Sequence, residues 1–330
     1  MGAICIPTGF KIKSISNNVV EMSQIYDSFD MDLPCKITKA NENNLCSVTF
    51  TVENDMKPPI MVYYEIDNFY QNHRQYKESR DDFQLLGSLT QNQVGQRRCE
   101  PLNKLGNITL NPCGMIANTL FNDVISLQSG QDSDGENLTL IEDGIAWQSD
   151  LDYMFKQPDT FRYEECDCND CTCDQPDWSC TNGTRYEDSI TGKCYKYFYP
   201  NDDSTQYLYE TYPKIINPIE GVQNEHFAVW MRVAAFPKFR KLYGYFDRSI
   251  KKGEIITFNI DANWIVHTFK GSKALVLSSS SIFGGKNPQL GNIFYIVGII
   301  FVSIGFLFAI KQIFNPRKLG NPKYLKYKKN

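Results

Sequence analysis

"IFYIVGIIFVSIGFLFAI" (residues 293–310) is a run of 18 residues without a charge, in which Tyr295 and Ser303 carry the only polar side-chain groups. As a helix rising 1.5 Å per residue, this run plus residues 290–292 and a snorkelling Lys311 reaches the roughly 30 Å of a bilayer core. A buried core helix of a soluble protein is usually shorter and rarely abuts a block of one-sign charge. Here Lys311, Arg317, Lys318, Lys323, Lys326, Lys328 and Lys329 follow with no acid among them. The tail is therefore +7, and since the whole chain carries −4, residues 1–310 carry −11. Beside a membrane span, a cationic flank marks the cytosolic end. The sequence thus predicts a transmembrane helix at 291–311, a basic cytosolic tail at 312–330 and a lumenal or extracellular segment before them. The position of the tail argues against nucleic acid as its partner.

Two features agree with that topology. Sequons stand at Asn107, Asn137 and Asn182, all before the span, and are the expected glycosylation sites. Ten of the 11 cysteines lie between Cys35 and Cys194, an even number in a compartment where disulfides persist, with Cys5 set apart. The start of the chain, "MGAICIPTGF", is no signal peptide, because it has no basic n-region and Pro7 and Gly9 interrupt its apolar run. Ile6 replaces the Ser or Thr that myristoylation favours. Residues 1–10 read as the outer end of a first transmembrane helix whose beginning is absent, which leaves 11–290 as the ectodomain.

Period-two patterning dominates that ectodomain. "CSVTFTV" (46–52) sets Val48, Phe50 and Val52 against Ser47, Thr49 and Thr51, as a strand with one buried face requires. "IMVYY", "FAVWMRV", "IITFNI", "WIVHTF" and "KALVL" are further β-rich runs bounded by Gly, Asn, Asp and Pro. Helical signals are short: the stretch after Asn68, "IANTLFND" and "LDYMF". The expected fold is a predominantly antiparallel β ectodomain with short helices (α+β), disulfide-bonded, plus transmembrane helices.

The cysteines divide by spacing. Cys35 and Cys46 close one small polar loop, and Cys99 and Cys113 close another containing Asn107. Cys166, Cys168, Cys171, Cys173, Cys180 and Cys194 crowd an insertion at 164–196, where 15 pairings are open. The C-x₂-C of Cys168 and Cys171 raises zinc, and Asp167, Asp170 and Asp174 raise calcium. Structural zinc prefers two separated pairs in a reducing compartment, and the acids lack the spacing of an EF-hand loop. Disulfides are the expected use, with no metal and no cofactor.

Catalytic chemistry finds little to stand on. The chain has three histidines, His73, His226 and His267, and neither a G-x-S-x-G elbow nor an H-E-x-x-H pair. "GGKN" (284–287) lacks the upstream glycine and terminal Ser or Thr of a phosphate loop and reads as a turn at the membrane surface. "DNFYQNHRQYKESR" (67–80) is dense enough to suggest an active site. Asp67 and Asn68 are good N-caps. As a helix from Phe69, the stretch would align Phe69, Asn72, His73 and Tyr76 on one side. No nucleophile or metal site adjoins His73, so the stretch reads as a buttressed connection, with partner binding as the functional alternative, since Tyr and Arg anchor interfaces.

Several longer words resemble one family. "NFYQNHRQYKESRDDFQLLG", "SNNVVE", "PCGMIANTLFND" with its preceding Cys99, "DGIAW", "NEHFAVWMRVAAFPKFRKLYG" and "GGKNPQLGNIFYIVG" occur in the order found in accessory (β) subunits of phospholipid flippases. These are the ligand-effect-modulator and cell-division-cycle-fifty proteins that pair with type-IV P-type ATPases. The resemblance covers nearly the whole chain. It implies two transmembrane helices, cytosolic termini and a glycosylated β-rich ectodomain, with Cys35–Cys46 and Cys99–Cys113 as family disulfides. The implied role is non-catalytic: assembly with the ATPase, exit from the endoplasmic reticulum to Golgi, endosomes or plasma membrane, and support of lipid transport, with membrane lipids as surroundings. It further implies that Phe69, Tyr70, His73, Arg74, Tyr76 and Arg80, with Trp230, Arg232, Phe239 and Arg240, support or contact that partner. The six-cysteine insertion exceeds the family pattern. The competing readings are a single-pass Cys-rich receptor or adhesion glycoprotein, and an ecto-enzyme with a convergent nucleophile and base.

Overall fold

The computed structural model describes residues 2–89, 93–168, 184–188, 191–200, 203–281 and 284–316. The chain forms two compact units, residues 22–278 and the paired ends 1–21 with 279–330.

Four small sheets build the larger unit. The first has the order β1 (Glu21–Ser28), β13 (Ser272–Ser279), β3 (Ile60–Asp67), β11 (Phe239–Phe246). The second sets β12 (Ile255–Ala262) between β2 (Asn44–Thr51) and β6 (Val124–Ser129), antiparallel to both. Register explains why this sheet has one dry face. Ile256 lies opposite Phe50 and Phe258 opposite Val48, and all four are buried. Ser47, Thr49 and Thr51 point to solvent, as period-two alternation demands. Phe246 of β11 meets Phe258 of β12 at 6.2 Å between ring centroids, joining the cores of the two sheets. The third sheet orders β10 (Thr205–Tyr207), β5 (Ile108–Asn111) and β4 (Lys104–Leu105), with β10 parallel to β5. The fourth orders β7 (Arg162–Cys166), β9 (Cys194–Phe198) and β8 (Thr184–Glu187).

Short helices occupy the connections: α2 (Arg74–Glu78), α3 (Asp82–Leu85), α4 (Gln93–Cys99), α5 (Gln148–Tyr153), α6 (Leu208–Thr211) and α7 (Glu225–Met231). The fold is thus predominantly antiparallel β with short helices, as expected. Two runs read as strands are not. "FAVWMRV" is mostly helix α7, and "WIVHTF" is a turn leading into a 3-10 segment, His267–Phe269. In the first, Asn224 caps the helix by accepting from the backbone N–H of Phe227 at 3.2 Å. Phe227, Ala228, Trp230 and Met231 are then buried on one helical face.

Disulfides join Cys35 to Cys46 and Cys99 to Cys113. In the insertion Cys168 pairs with Cys194, and Cys166 is also disulfide-bonded. Cys171, Cys173, Cys180 and the sequon at Asn182 lie outside the described residues, as does the tail from 317. Beneath β1 and β13, Lys273 is fully buried against Asp123 at 2.7 Å and Asp27 at 3.2 Å, and Tyr26 donates to Asp123 at 2.8 Å. Burial raises the pKa of the Asp27 carboxyl against the opposing pull of Lys273.

In the smaller unit, α1 (Gly2–Asn17) is longer than the ten-residue stub read from the sequence and contains Pro7. It packs along α8 (Pro288–Phe314), the helix among the described residues that is long and apolar enough to cross a membrane. Glycine makes this approach possible. A Cβ on Gly9 would stand 2.7 Å from the Tyr295 backbone nitrogen, and one on Gly298 2.7 Å from Ile6 Cγ1. Ser16 Oγ accepts from the Asn287 N–H at 2.8 Å where the two helices end and begin.

Candidate partner interface

The stretch "DNFYQNHRQYKESR" is a loop before it is a helix. Asn68 takes a left-handed conformation (φ 64°), which Asn tolerates better than most residues, and its side chain donates to the Phe269 carbonyl at 2.7 Å. The helix expected from Phe69 begins only at Arg74, so the single face proposed for Phe69, Asn72, His73 and Tyr76 does not form. Long-range pairing replaces it. The Phe69 N–H donates to the Pro237 carbonyl at 3.1 Å, Gln71 Oε1 accepts from the Ala234 N–H at 2.9 Å, and Asn72 Nδ2 donates to the Ala235 carbonyl at 2.8 Å.

This lacing turns Phe69 inward as the hub of an aromatic cluster. Its ring centroid lies 5.2 Å from Phe269, 5.3 Å from Trp264, 5.5 Å from Tyr76, 6.1 Å from Trp230 and 6.5 Å from Phe239. Trp230 is fully buried and donates Nε1–H to the Ile116 carbonyl at 2.8 Å. Tyr76 shares a 2.7 Å hydrogen bond with Thr119 Oγ1, and burial pushes its phenol pKa well up. Tyr70, His73 and Arg74 remain exposed, with Arg74 paired to Glu78 at 3.2 Å.

Cations tie the surrounding elements together. Lys241 of β11 reaches the C-terminal carbonyls of α7, donating to Val229 at 2.9 Å, Trp230 at 3.0 Å and Arg232. A helix C-terminus attracts such a group. Burial, with the Arg232 guanidinium adding repulsion, lowers its pKa to about 7. Arg232 grips Asp150 with two bonds, 2.5 and 3.0 Å, and lies 4.9 Å above the Trp147 ring. Arg80 pairs with Asp82 at 2.9 Å; Arg240 and Lys238 meet Glu65 at 2.6 and 3.0 Å.

Several large apolar side chains of the surrounding segments are exposed. Trp147 is 67% exposed, Tyr153 76% and Phe236 73%, with Tyr70, Phe83 and Met154 also open to solvent. Arg80, Leu85, Met154 and Arg232 rim a cavity of about 300 Å³ between these segments. Large exposed aromatics beside arginine, rigidly supported, mark protein interaction sites. Of the sequence candidates, Phe69, Tyr76, Trp230 and Phe239 form the support and Tyr70, His73 and Arg74 stand at the surface. Arg80 and Arg232 line the cavity, and Arg240 braces β11 against β3. Trp147, Asp150, Tyr153 and Phe236 were missed. "DGIAW" contained the signal for the first, a turn glycine followed closely by a large aromatic.

Among the described residues no hydroxyl or thiol is hydrogen-bonded to a histidine. His226 pairs with Glu142 at 2.9 Å against the Tyr243 ring, while His73 and His267 are exposed. Among the described residues no group of His, Cys, Asp and Glu is placed to hold a metal.

The sequence model of the LEM3 (ligand-effect modulator 3) family / CDC50 family matches residues 12–318. ALA-interacting subunit 3 of Arabidopsis thaliana is 32% identical over 338 residues, covering 100% of this chain and 83% of that protein. Cell cycle control protein 50A of Bos taurus is 33% identical over 342 residues, covering 97% and 82%. Phospholipid-transporting ATPase accessory subunit CRF1 of Saccharomyces cerevisiae is 32% identical over 287 residues, covering 86% and 64%. The chain belongs to the LEM3/CDC50 family.

Proposed function

We propose that this chain is the non-catalytic accessory subunit of a type-IV P-type ATPase that transports phospholipid, supporting the assembly and export of the pump and its lipid flipping. The observation that carries the reading is that one chain holds both a helix apolar enough to cross a membrane, α8, and exposed Trp147, Tyr153 and Phe236. The name of the yeast relative supports the identity of the partner. In this reading residues 22–278 stand on the lumenal or extracellular side and the basic tail stands in the cytosol. Asn107 and Asn137, both exposed, carry glycans, and the complex resides in endoplasmic reticulum, Golgi, endosomal or plasma membranes. Phe69, Tyr76, Trp230 and Phe239 hold the aromatic face rigid, so that little side-chain entropy is lost on docking. Attachment alone does not alter a transport cycle. The face must fit some conformations of the pump better than others, and it then shifts their populations by that difference in affinity.

The test is affinity purification of tagged full-length chain from its own membranes in mild detergent. The wild type is expected to bring down a type-IV P-type ATPase near one to one. A Trp147→Ala/Phe236→Ala variant is expected to lose at least about tenfold of it, since hot-spot truncations cost about 2 kcal/mol or more. Its unfolding temperature should stay unchanged. A wild-type chain that purifies alone, or with a soluble ligand, overturns the assignment in favour of the receptor reading.

A further inference from the structure

A second concave surface involves amides. Asn41, Asn122 and Asn263 border a cavity of about 360 Å³ walled by Phe69, Trp264 and Phe269, and the same three amides border an adjoining cavity of about 320 Å³. Each is in the size range of small-ligand sites. The first has no acidic or basic side chain in its lining. In the second, Lys214 is engaged by Asp261 and by Asn43 Oδ1 at 2.6 Å, and Glu210 accepts from the Tyr207 N–H at 2.7 Å. A phosphate or carboxylate would find no uncommitted cation here, and desolvating its charge would oppose binding.

The polar groups have a particular layout. Asn41, held left-handed at φ 57°, donates its backbone N–H to the Asn263 carbonyl at 2.9 Å. Asn122 Nδ2 donates to Asn41 Oδ1 at 2.8 Å. That single bond leaves the Asn41 amide N–H₂ as a donor and the Asn122 carbonyl oxygen as an acceptor on neighbouring groups. Asn263, 2% exposed, donates from Nδ2 to the Asp261 carbonyl at 2.9 Å while its Oδ1 has no partner among the described residues. The same cavity is lined by the Phe69, Trp264 and Phe269 rings, packed 5.2 to 5.6 Å apart, with Leu120 and Ile265 and the hydroxyls of Thr211 and Thr268 among its other lining residues. An acyl chain would satisfy the rings and strand the amides.

A ligand that matches both needs adjacent hydroxyls, each donating and accepting, on a ring with an apolar C–H face. We infer that these two cavities bind a neutral saccharide, with the Asn41–Asn122 amide pair reading a vicinal diol and the Phe69, Trp264 and Phe269 wall receiving the C–H face. The adjoining cavity admits a second linked sugar. The inference does not rest on the flippase reading, because it uses neither the Trp147 face nor the membrane helix. The same chemistry is offered by a free sugar and by a glycan attached to a protein.

The experiment uses the full chain in detergent, with saturation-transfer NMR and isothermal titration. The probes are methyl glycosides of glucose, mannose and N-acetylglucosamine, chitobiose, an N-glycopeptide and the same peptide without its glycan. Saturable binding of at least one glycoside is expected, weakened at least tenfold in Asn122→Ala and in Asn41→Asp. The second variant tolerates the left-handed backbone but removes the donor; both should melt as the wild type does. Tighter binding of the glycopeptide than of its glycoside identifies a protein-linked glycan as the ligand, and equal binding a free sugar. Absence of saturable binding, equal binding by both variants, or binding of the glycan-free peptide overturns the inference.

Discussion

Phe69 and Tyr70 are neighbours in sequence with opposite duties. The Phe69 ring touches five other aromatics, whereas Tyr70 is 55% exposed. Phe69→Ala removes the hub of a cluster that relaxes only partly around the hole, and is expected to cost about 3 kcal/mol or more. Tyr70→Ala is expected to change stability by less than about 0.5 kcal/mol while lowering recovery of the ATPase partner. Thermal melts of the detergent-purified chain, set beside co-purification yields, separate the two. Equal destabilisation by both would show that the cluster is not centred where the rings place it. The sequence alone does not predict this division of labour. Polar density and good N-cap residues suggested one continuous helix, but the loop conformation depends on Gln71 and Asn72 bonding to partners 163 residues away. No local pattern encodes that separation.

Helix α7 shows where local reading succeeds and where it fails. Strands β2 and β12 were legible because alternation is written within five or six consecutive residues, and a one-residue slip would expose Val48, Phe50, Ile256 and Phe258 together. "FAVWMRV" is rich in residues that also favour strands, yet its buried set, Phe227, Ala228, Trp230 and Met231, has the i, i+1, i+3, i+4 spacing of a helix. Asn224 as N-cap and Glu225 in the first turn were the available corrective. The three carbonyl bonds from Lys241 at the other end were not available, since they come from β11. They carry a pH consequence. A lysine held near pKa 7 in the fold and near 10.4 unfolded binds fewer protons when folded between those values, so its contribution to stability rises with pH there. From pH 7 to 9 the gain is about 2 kcal/mol. Lys241→Met should abolish that rise and be destabilised at all pH values, because it leaves three carbonyls without a donor. Denaturant unfolding at pH 7, 8 and 9 measures both effects, and a variant that keeps the wild-type slope would place the titration elsewhere.

At the scale of the whole molecule, the chain combines a disulfide-braced β unit with a helix pair, α1 and the apolar α8, and the two are stabilised by different physics. Burial of alternating side chains and the Cys35–Cys46 and Cys99–Cys113 bridges hold the first. In the membrane setting proposed for this chain the hydrophobic effect gives helices little reason to associate, and close backbone approach and dispersion would hold the second. The sequence made α8 plain through its uncharged length. It gave α1 away only in part, because Pro7 and the short apolar run mask a helix that continues to Asn17. The glycines of α8 separate the roles of its faces. A side chain at Gly298 would meet Ile6 at 2.7 Å, and one at Gly291 would meet the Lys13 backbone nitrogen at 2.7 Å, whereas Gly305 has nothing within 4 Å. Gly298→Leu is therefore expected to push α1 from α8 at a cost of about 1–3 kcal/mol, the usual penalty of overpacking, while Gly305→Leu leaves the pair intact. The readout is a cysteine cross-link engineered between the two helices in detergent micelles, with near-ultraviolet circular dichroism reporting the aromatic core of residues 22–278. Gly298→Leu should lose the cross-link and keep the aromatic signal, because the glycine packing belongs to the smaller unit alone. Loss of both signals together would mean that the β unit depends on the helix pair for its fold. Retention of both would mean that the helices associate through something other than their glycine faces.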